Sequence, residues 1–120
     1  MRRTVGLVGL MSLALAFAGC GGDDPEDDDG SDQCADAPSF EEVSAFQVCI
    51  NCHNSSKTDQ ARNGAPPTIN FDSYEAAAQN ADRAAHEVGQ SDMPPPSSGF
   101  TLTSAQRSAL VKWADCGAPR

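Results

Sequence analysis

Hydropathy divides the 120-residue chain into three regimes. A largely apolar block, Val5 to Ala18, follows the basic pair Arg2 and Arg3. Residues 21–33 then carry almost no apolar side chain and are dominated by Asp and Gly. From Ser39 onward apolar positions return with helical spacing. Phe40, Val43, Phe46 and Cys49 fall three residues apart, the i, i+3 spacing of a helix. Ser39-Phe-Glu-Glu42 has the form of a capping box, which predicts a helix from Ser39 that ends near Cys49. Residues 54–70 lose the period and are rich in Ser, Asn and Gly, with Pro66-Pro67, so they read as loop. Asp72-Ser-Tyr-Glu75 is a second capping box. It opens an alanine-rich helix to about Val88, with Gly89 as its terminator. A loop over 90–101 contains Met93-Pro94-Pro95-Pro96. Thr103-Ser-Ala-Gln106 opens a third helix through Asp115, with Leu110, Trp113 and Ala114 on its apolar face and Gly117 and Pro119 stopping it. No strand period or internal repeat is visible, so the expected class is all-α, with three to four helices.

The bulky core candidates are few: Phe40, Phe46, Phe71, Tyr74, Phe100 and Trp113. A domain with so thin a core needs a further source of stability, such as a buried cofactor or a crosslink.

The N-terminal block is too short to span a bilayer, which takes about 20 apolar residues. With its basic start it fits a signal peptide over residues 1–19. It ends in Phe17-Ala18-Gly19-Cys20, which resembles a bacterial lipobox in which Cys20 becomes the lipid-modified first residue of the mature chain. Phe17 departs from the Leu usual at that place, and plain secretion with cleavage near Ala18 is the alternative. Gly21 after the cysteine, rather than Asp, leans towards an outer membrane. The expected location is therefore the bacterial cell envelope, periplasmic or outer-membrane associated, with the lipid on Cys20 as the membrane contact. All 17 acidic residues but only six of the eight basic ones lie beyond this segment, so the mature chain is more acidic than the net −9 of the whole. Eight of those acids crowd residues 23–36. Residues 20–33 thus read as a self-repelling tether and 34–120 as the folded domain. No basic patch is present to hold nucleic acid.

Within that exported domain, Cys49-Ile50-Asn51-Cys52-His53 spells C-x-x-C-H, the spacing of a covalent c-type haem attachment site. Two thiols add across the two vinyl groups of one haem, and the adjacent imidazole reaches the iron. At this composition about 0.003 chance matches are expected per chain. The competing readings are a simple disulfide, a thioredoxin-like C-x-x-C and half a zinc site. The first redox alternative wants a βαβ setting. Zinc wants a second ligand pair, and His86, Cys34 and Cys116 offer none nearby. If Cys20 goes to lipid and Cys49 and Cys52 to haem, Cys34 and Cys116 remain. In an oxidising compartment they are expected to pair as a disulfide joining the ends of the domain, unless they stay free or pair between chains.

A helix ending in C-x-x-C-H, an intervening helix, a Met-Pro-Pro loop and a final helix in Trp113-Ala-Asp-Cys116-Gly-Ala-Pro119 together resemble a small class I monohaem c-type cytochrome domain of a bacterial lipoprotein. The resemblance spans about residues 34–119. It implies a cytochrome c-like fold around one covalently bound haem c, with first and last helices crossing beside it near Phe46 and Trp113. It also implies His53 as proximal and Met93 as distal iron ligand. The chain lacks the glycine such domains carry in the first helix. A thioether in a proline-stiffened loop is independently suited to haem iron. His86, late in the second helix, is the rival sixth ligand, and an open position is the third possibility. The function so implied is electron transfer between redox partner proteins by a monomer, not enzyme catalysis. A haem-based sensor or peroxide-reducing enzyme with a labile sixth ligand, and a haem-free structural lipoprotein, are the alternatives.

Overall fold

The computed structural model describes residues 31–120, with the backbone alone at 31 and 32. The expected signal segment, Cys20 and most of the expected tether lie outside the described residues. Five α-helical segments appear in chain order: α1 (Ser31–Cys34), α2 (Ala45–Cys49), α3 (Tyr74–Gln79), α4 (Ala81–Gly89) and α5 (Ser104–Asp115). Short 3-10 turns lie at Phe40–Glu42, Asp59–Arg62 and Pro96–Ser98. There is no strand among the described residues, and the protein is all-α over them.

The first capping box forms, with Glu42 accepting from the Ser39 backbone N–H at 2.8 Å, but it caps a 3-10 turn rather than one long helix. The chain leaves helical geometry at Val43 (ψ 83°) before α2 begins. The reason is packing. Positions 40 and 46 are about 1.7 turns apart on a continuous α-helix and would face different directions. The break lets the Phe40 and Phe46 rings meet, centroids 5.0 Å apart.

The alanine-rich run also divides. Asn80 donates its side-chain amide to Ala76 O (2.8 Å), while its own carbonyl receives Ala84 N–H (2.9 Å) and starts α4. Asn competes for backbone partners in this way and so favours helix ends. The second piece ends at Gly89 as expected, but Gly89 is not the left-handed residue. Helical geometry continues through Gln90, and Ser91 takes the left-handed position (φ 65°). Ser91 N donates to Val88 O (3.1 Å) and Asp92 N to Glu87 O (2.9 Å), the bond pattern of a Schellman ending.

Helix α5 has the expected form. Thr103 Oγ1 accepts from Gln106 N (3.2 Å) and Gln106 Oε1 accepts from Thr103 N (2.9 Å). Its buried residues Leu110, Trp113 and Ala114 pack against α4, which buries Ala81, Ala84 and Val88. Phe46 of α2 meets Trp113 edge-on at 5.1 Å. After α5 the chain reverses through Gly117 and Ala118, at φ 81° and 53°. Pro119 O then accepts from the Trp113 indole (2.8 Å) and from Phe40 N (3.0 Å). Tyr74 Oη donates to Ala118 O (3.1 Å). Cys34 and Cys116, the expected pair, stand at bonding distance with Cα atoms 5.4 Å apart. Phe100, expected in the core, is 39% exposed instead.

At the second box the cap is Ser73, whose hydroxyl accepts from Ala76 N (3.3 Å), rather than Asp72. Asp72 instead accepts from Ser55 Oγ (2.6 Å) and Ser55 N (3.0 Å), and the Ser55 hydroxyl above all holds its carboxyl below the usual aspartate range. The two roles separate by pH. Ser73→Ala should cost about 1 kcal/mol in urea denaturation at neutral and acid pH alike. The Asp72 contribution is full above the ordinary aspartate pKa of about 3.9 and is lost as pH falls through the lowered folded value. Asp72→Asn should therefore flatten the acid limb of the melting-temperature profile, and an unchanged limb would refute the Asp72–Ser55 tie.

Candidate cofactor site

The C-x-x-C-H segment continues the turn at the end of α2. Cys52 N (3.1 Å) and His53 N (2.9 Å) both donate to Cys49 O. Asn51 folds back and donates its side-chain amide to Gln47 O (3.1 Å) and Val48 O (3.0 Å), tying its side chain to the last turn of the helix. One compact turn therefore carries both thiols and the imidazole.

His53 is fixed from two sides. Phe71 packs edge-on against its ring at 5.3 Å, and Phe71 N donates to His53 O (2.9 Å). Its Nδ1 lies 3.0 Å from Ile69 O. A carbonyl oxygen can only accept, so Nδ1 carries the proton and Nε2 keeps its lone pair. Burial holds the imidazole below its ordinary pKa. The Ile69 bond opposes that effect, while the positive charges of Arg62 and Arg83 reinforce it. The ring is thereby kept neutral, the form that ligates a metal.

Arg62, a residue the sequence does not single out, organises the loop behind His53. It is 4% exposed, and its guanidinium donates to Asn54 O (2.7 Å), Ala65 O (3.0 Å), Pro66 O (2.6 Å), Ile69 O (3.1 Å) and Asn70 Oδ1 (3.0 Å). A longer contact reaches Lys57 O at 3.4 Å. The loop thus folds around one cation, and the carbonyl that orients His53 is among its acceptors.

Cys49, Cys52, His53 and Met93 line one cavity that opens to solvent. Val48, Ile69, Phe71, Leu102 and Leu110 supply apolar wall, and Arg83 and Glu87 of α4 are its charged members. Met93 reaches this wall because the ending of α4 places it there. Met93 N donates to Glu87 O (3.2 Å), and Arg107 of α5 donates from Nη1 to Val88 O (3.1 Å) and Met93 O (3.3 Å). His86, the rival ligand, is exposed on α4 and is not part of the cavity wall. The exposed ring of Phe100 borders the opening.

Among the described residues no three His, Cys, Asp or Glu side chains are grouped to hold a metal ion by themselves. Cys49 and Cys52 are free thiols. No family of known proteins, no curated protein and no solved structure matches the chain.

Burial above all pushes the Cys49 thiol up to about 11, with the neighbouring Cys52 adding to the rise. A disulfide oxidoreductase needs the opposite, a thiolate stabilised near neutral pH. In the haem-free protein, iodoacetamide should therefore label Cys49 slowly at pH 7, with the rate climbing steadily as pH rises towards 11. Rapid labelling at neutral pH, read by intact mass, would show an activated thiol and restore the oxidoreductase reading.

Proposed function

We propose that this chain is an electron-transfer protein, a lipid-anchored monohaem c-type cytochrome. Haem would be attached through Cys49 and Cys52, with His53 and Met93 as iron ligands. The observation that carries this reading is the single apolar-walled cavity shared by those four side chains. The residues fit the group in three respects. Both thiols sit on one turn, so they can reach one porphyrin edge. The His53 proton is committed to Ile69 O, leaving Nε2 to bind metal, the arrangement in which an outer partner orients a ligating histidine. The Met93 thioether is neutral and soft, a ligand that raises the potential of haem iron.

Bound haem supplies one-electron chemistry through the ferric and ferrous states of its iron. The chain's own contribution is to hold that state change without rearrangement. His53 is restrained by Ile69 O and Phe71, and the Met93 backbone by Glu87 O and Arg107. A restrained sixth ligand favours transfer over binding of small gases or peroxide. His86, turned to solvent, supplies no imidazole beside Met93. An opening bordered by Phe100 leaves the cavity edge accessible to redox partners by brief, weak docking. The membrane anchor belongs to this proposal through the lipobox-like ending at Cys20.

Coexpression with a cytochrome c maturation system should give a coloured protein whose haem survives denaturing electrophoresis and acid–acetone extraction. The Cys49→Ser, Cys52→Ser double variant should lose it. Met93→Ala should abolish the weak long-wavelength thioether-to-ferric-iron band and lower the potential, whereas His86→Ala should leave both unchanged. A colourless wild-type protein would overturn the proposal, and a spectrum that responds to His86 instead would overturn the ligation.

A further inference from the structure

Arg62 is an unusual group to find buried. Charged side chains are seldom fully enclosed unless paired with an opposite charge. Here every short contact of the guanidinium is to a neutral oxygen, four backbone carbonyls and one side-chain amide, and no carboxylate is among its partners. Its charge is solvated by the loop and has no carboxylate at hydrogen-bond distance, although the exposed Asp72 carboxylate feels it. Its N–H groups are all engaged, so it has no donor left to offer a cofactor carboxylate. A lysine could not serve in the same way, because only the planar fork reaches acceptors spread from Asn54 to Asn70.

The position of this charge gives it a consequence. Ile69 O accepts from Arg62 Nη2 at 3.1 Å and faces His53 Nδ1 at 3.0 Å. Two effects then act in the same sense. A carbonyl already bound to a cation is a weaker acceptor for the imidazole proton, which makes His53 a weaker donor to ferric iron. The positive charge itself also opposes the more positive oxidation state. Reduction adds one electron to the iron, needs no proton, and lowers the charge of the centre by one.

We propose that Arg62 is a positioning residue that sets the redox equilibrium of the site. It holds Ile69 O against His53 and keeps a buried positive charge, with no carboxylate bonded to it, on the proximal side, so that the ferrous state is favoured. This inference rests on the haem reading above.

The test is an electrochemical titration of the purified holoprotein through small-molecule mediators, followed by visible absorbance. Arg62→Gln should lower the ferrous-to-ferric ratio at a fixed applied potential by at least about tenfold, equivalent to 59 mV for one electron. Arg62→Lys keeps the charge and loses the fork, so it should retain most of the wild-type potential while melting at a lower temperature. Asn70→Asp tests the charge without touching Arg62. It places a carboxylate where Asn70 Oδ1 now accepts from the guanidinium, and should move the ratio in the same direction by about threefold or more. It also serves if Arg62→Gln fails to fold. Haem-loaded variants with the wild-type potential, or equal shifts in Arg62→Gln and Arg62→Lys, would overturn the role of the charge while leaving the cytochrome reading intact. A wild-type protein that takes up no haem overturns both.

Discussion

The carbonyl oxygen of Ile69 joins the two halves of the candidate site. It accepts from His53 on one side and from the buried Arg62 on the other. The Ile69 side chain is itself buried and lines the cavity. One residue therefore ties the loop, the imidazole and the apolar wall. Without the Arg62 cluster, the carbonyls of residues 54–70 would have no common centre to converge on. Without that convergence nothing would choose the His53 tautomer. An unpaired buried polar group is costly, so each bond in this cluster supports the others.

The rest of the domain keeps that loop pressed against the helices. His53 stacks edge-on with Phe71, Phe71 lies parallel to Phe46 at 5.6 Å, and Phe46 meets both Phe40 and Trp113. This aromatic run leads from the imidazole to the far end of the chain. There the Trp113 indole and Phe40 N hold Pro119 O, and Cys34 and Cys116 close the two ends. The Trp113-to-Pro119 signature thus has a physical meaning. The tryptophan donates to the tail, the cysteine bonds the opposite terminus, and the Gly117-Ala118 pair turns the backbone between them. The buried apolar set is rich in alanine, and the fully enclosed side chains include Trp113, Leu110 and Val43. A chain so sparing in core volume leans on its Cys34–Cys116 crosslink.

What could be read from sequence follows the range of the interactions involved. The Thr103 box and the compact turn around Cys49-Cys52-His53 are local, so their residues stand adjacent in the chain. Met93 was readable as a candidate because a thioether among prolines is chemically unusual, though its place on the cavity depends on how α4 ends. The failures have both tertiary and local causes. The helix from Ser39 breaks at Val43 because Phe40 must meet Phe46. Asn80 divides α3 from α4 by bonding its own preceding turn. Ser91, rather than Gly89, supplies the left-handed residue. Arg62 was invisible because an arginine in a polar loop reads as a solvated surface group. Only the folding of its neighbours' carbonyls inward makes it a buried one.

Two arginines now stand in comparable positions. Arg62 bonds the carbonyl that faces His53, and Arg107 bonds the carbonyl of Met93 together with that of Val88. Neither is in an ion pair, since the salt bridge among the described residues joins Arg120 to Glu75. Each holds backbone carbonyls, Arg62 through its whole fork and Arg107 through Nη1 alone, one behind each proposed ligand. The two differ in depth, because Arg62 is enclosed while Arg107 is half-buried. Solvent screens the charge of Arg107, so its contribution is mainly geometric. The charge of Arg62 is screened far less and acts on the site directly. The chain is strongly acidic as a whole, yet among the described residues the cation least exposed to solvent lies beside the proposed proximal ligand. That placement separates the field at the cavity from the field a partner meets at the surface. A surface of one sign can then govern encounter while a buried charge of the other sign governs the equilibrium within.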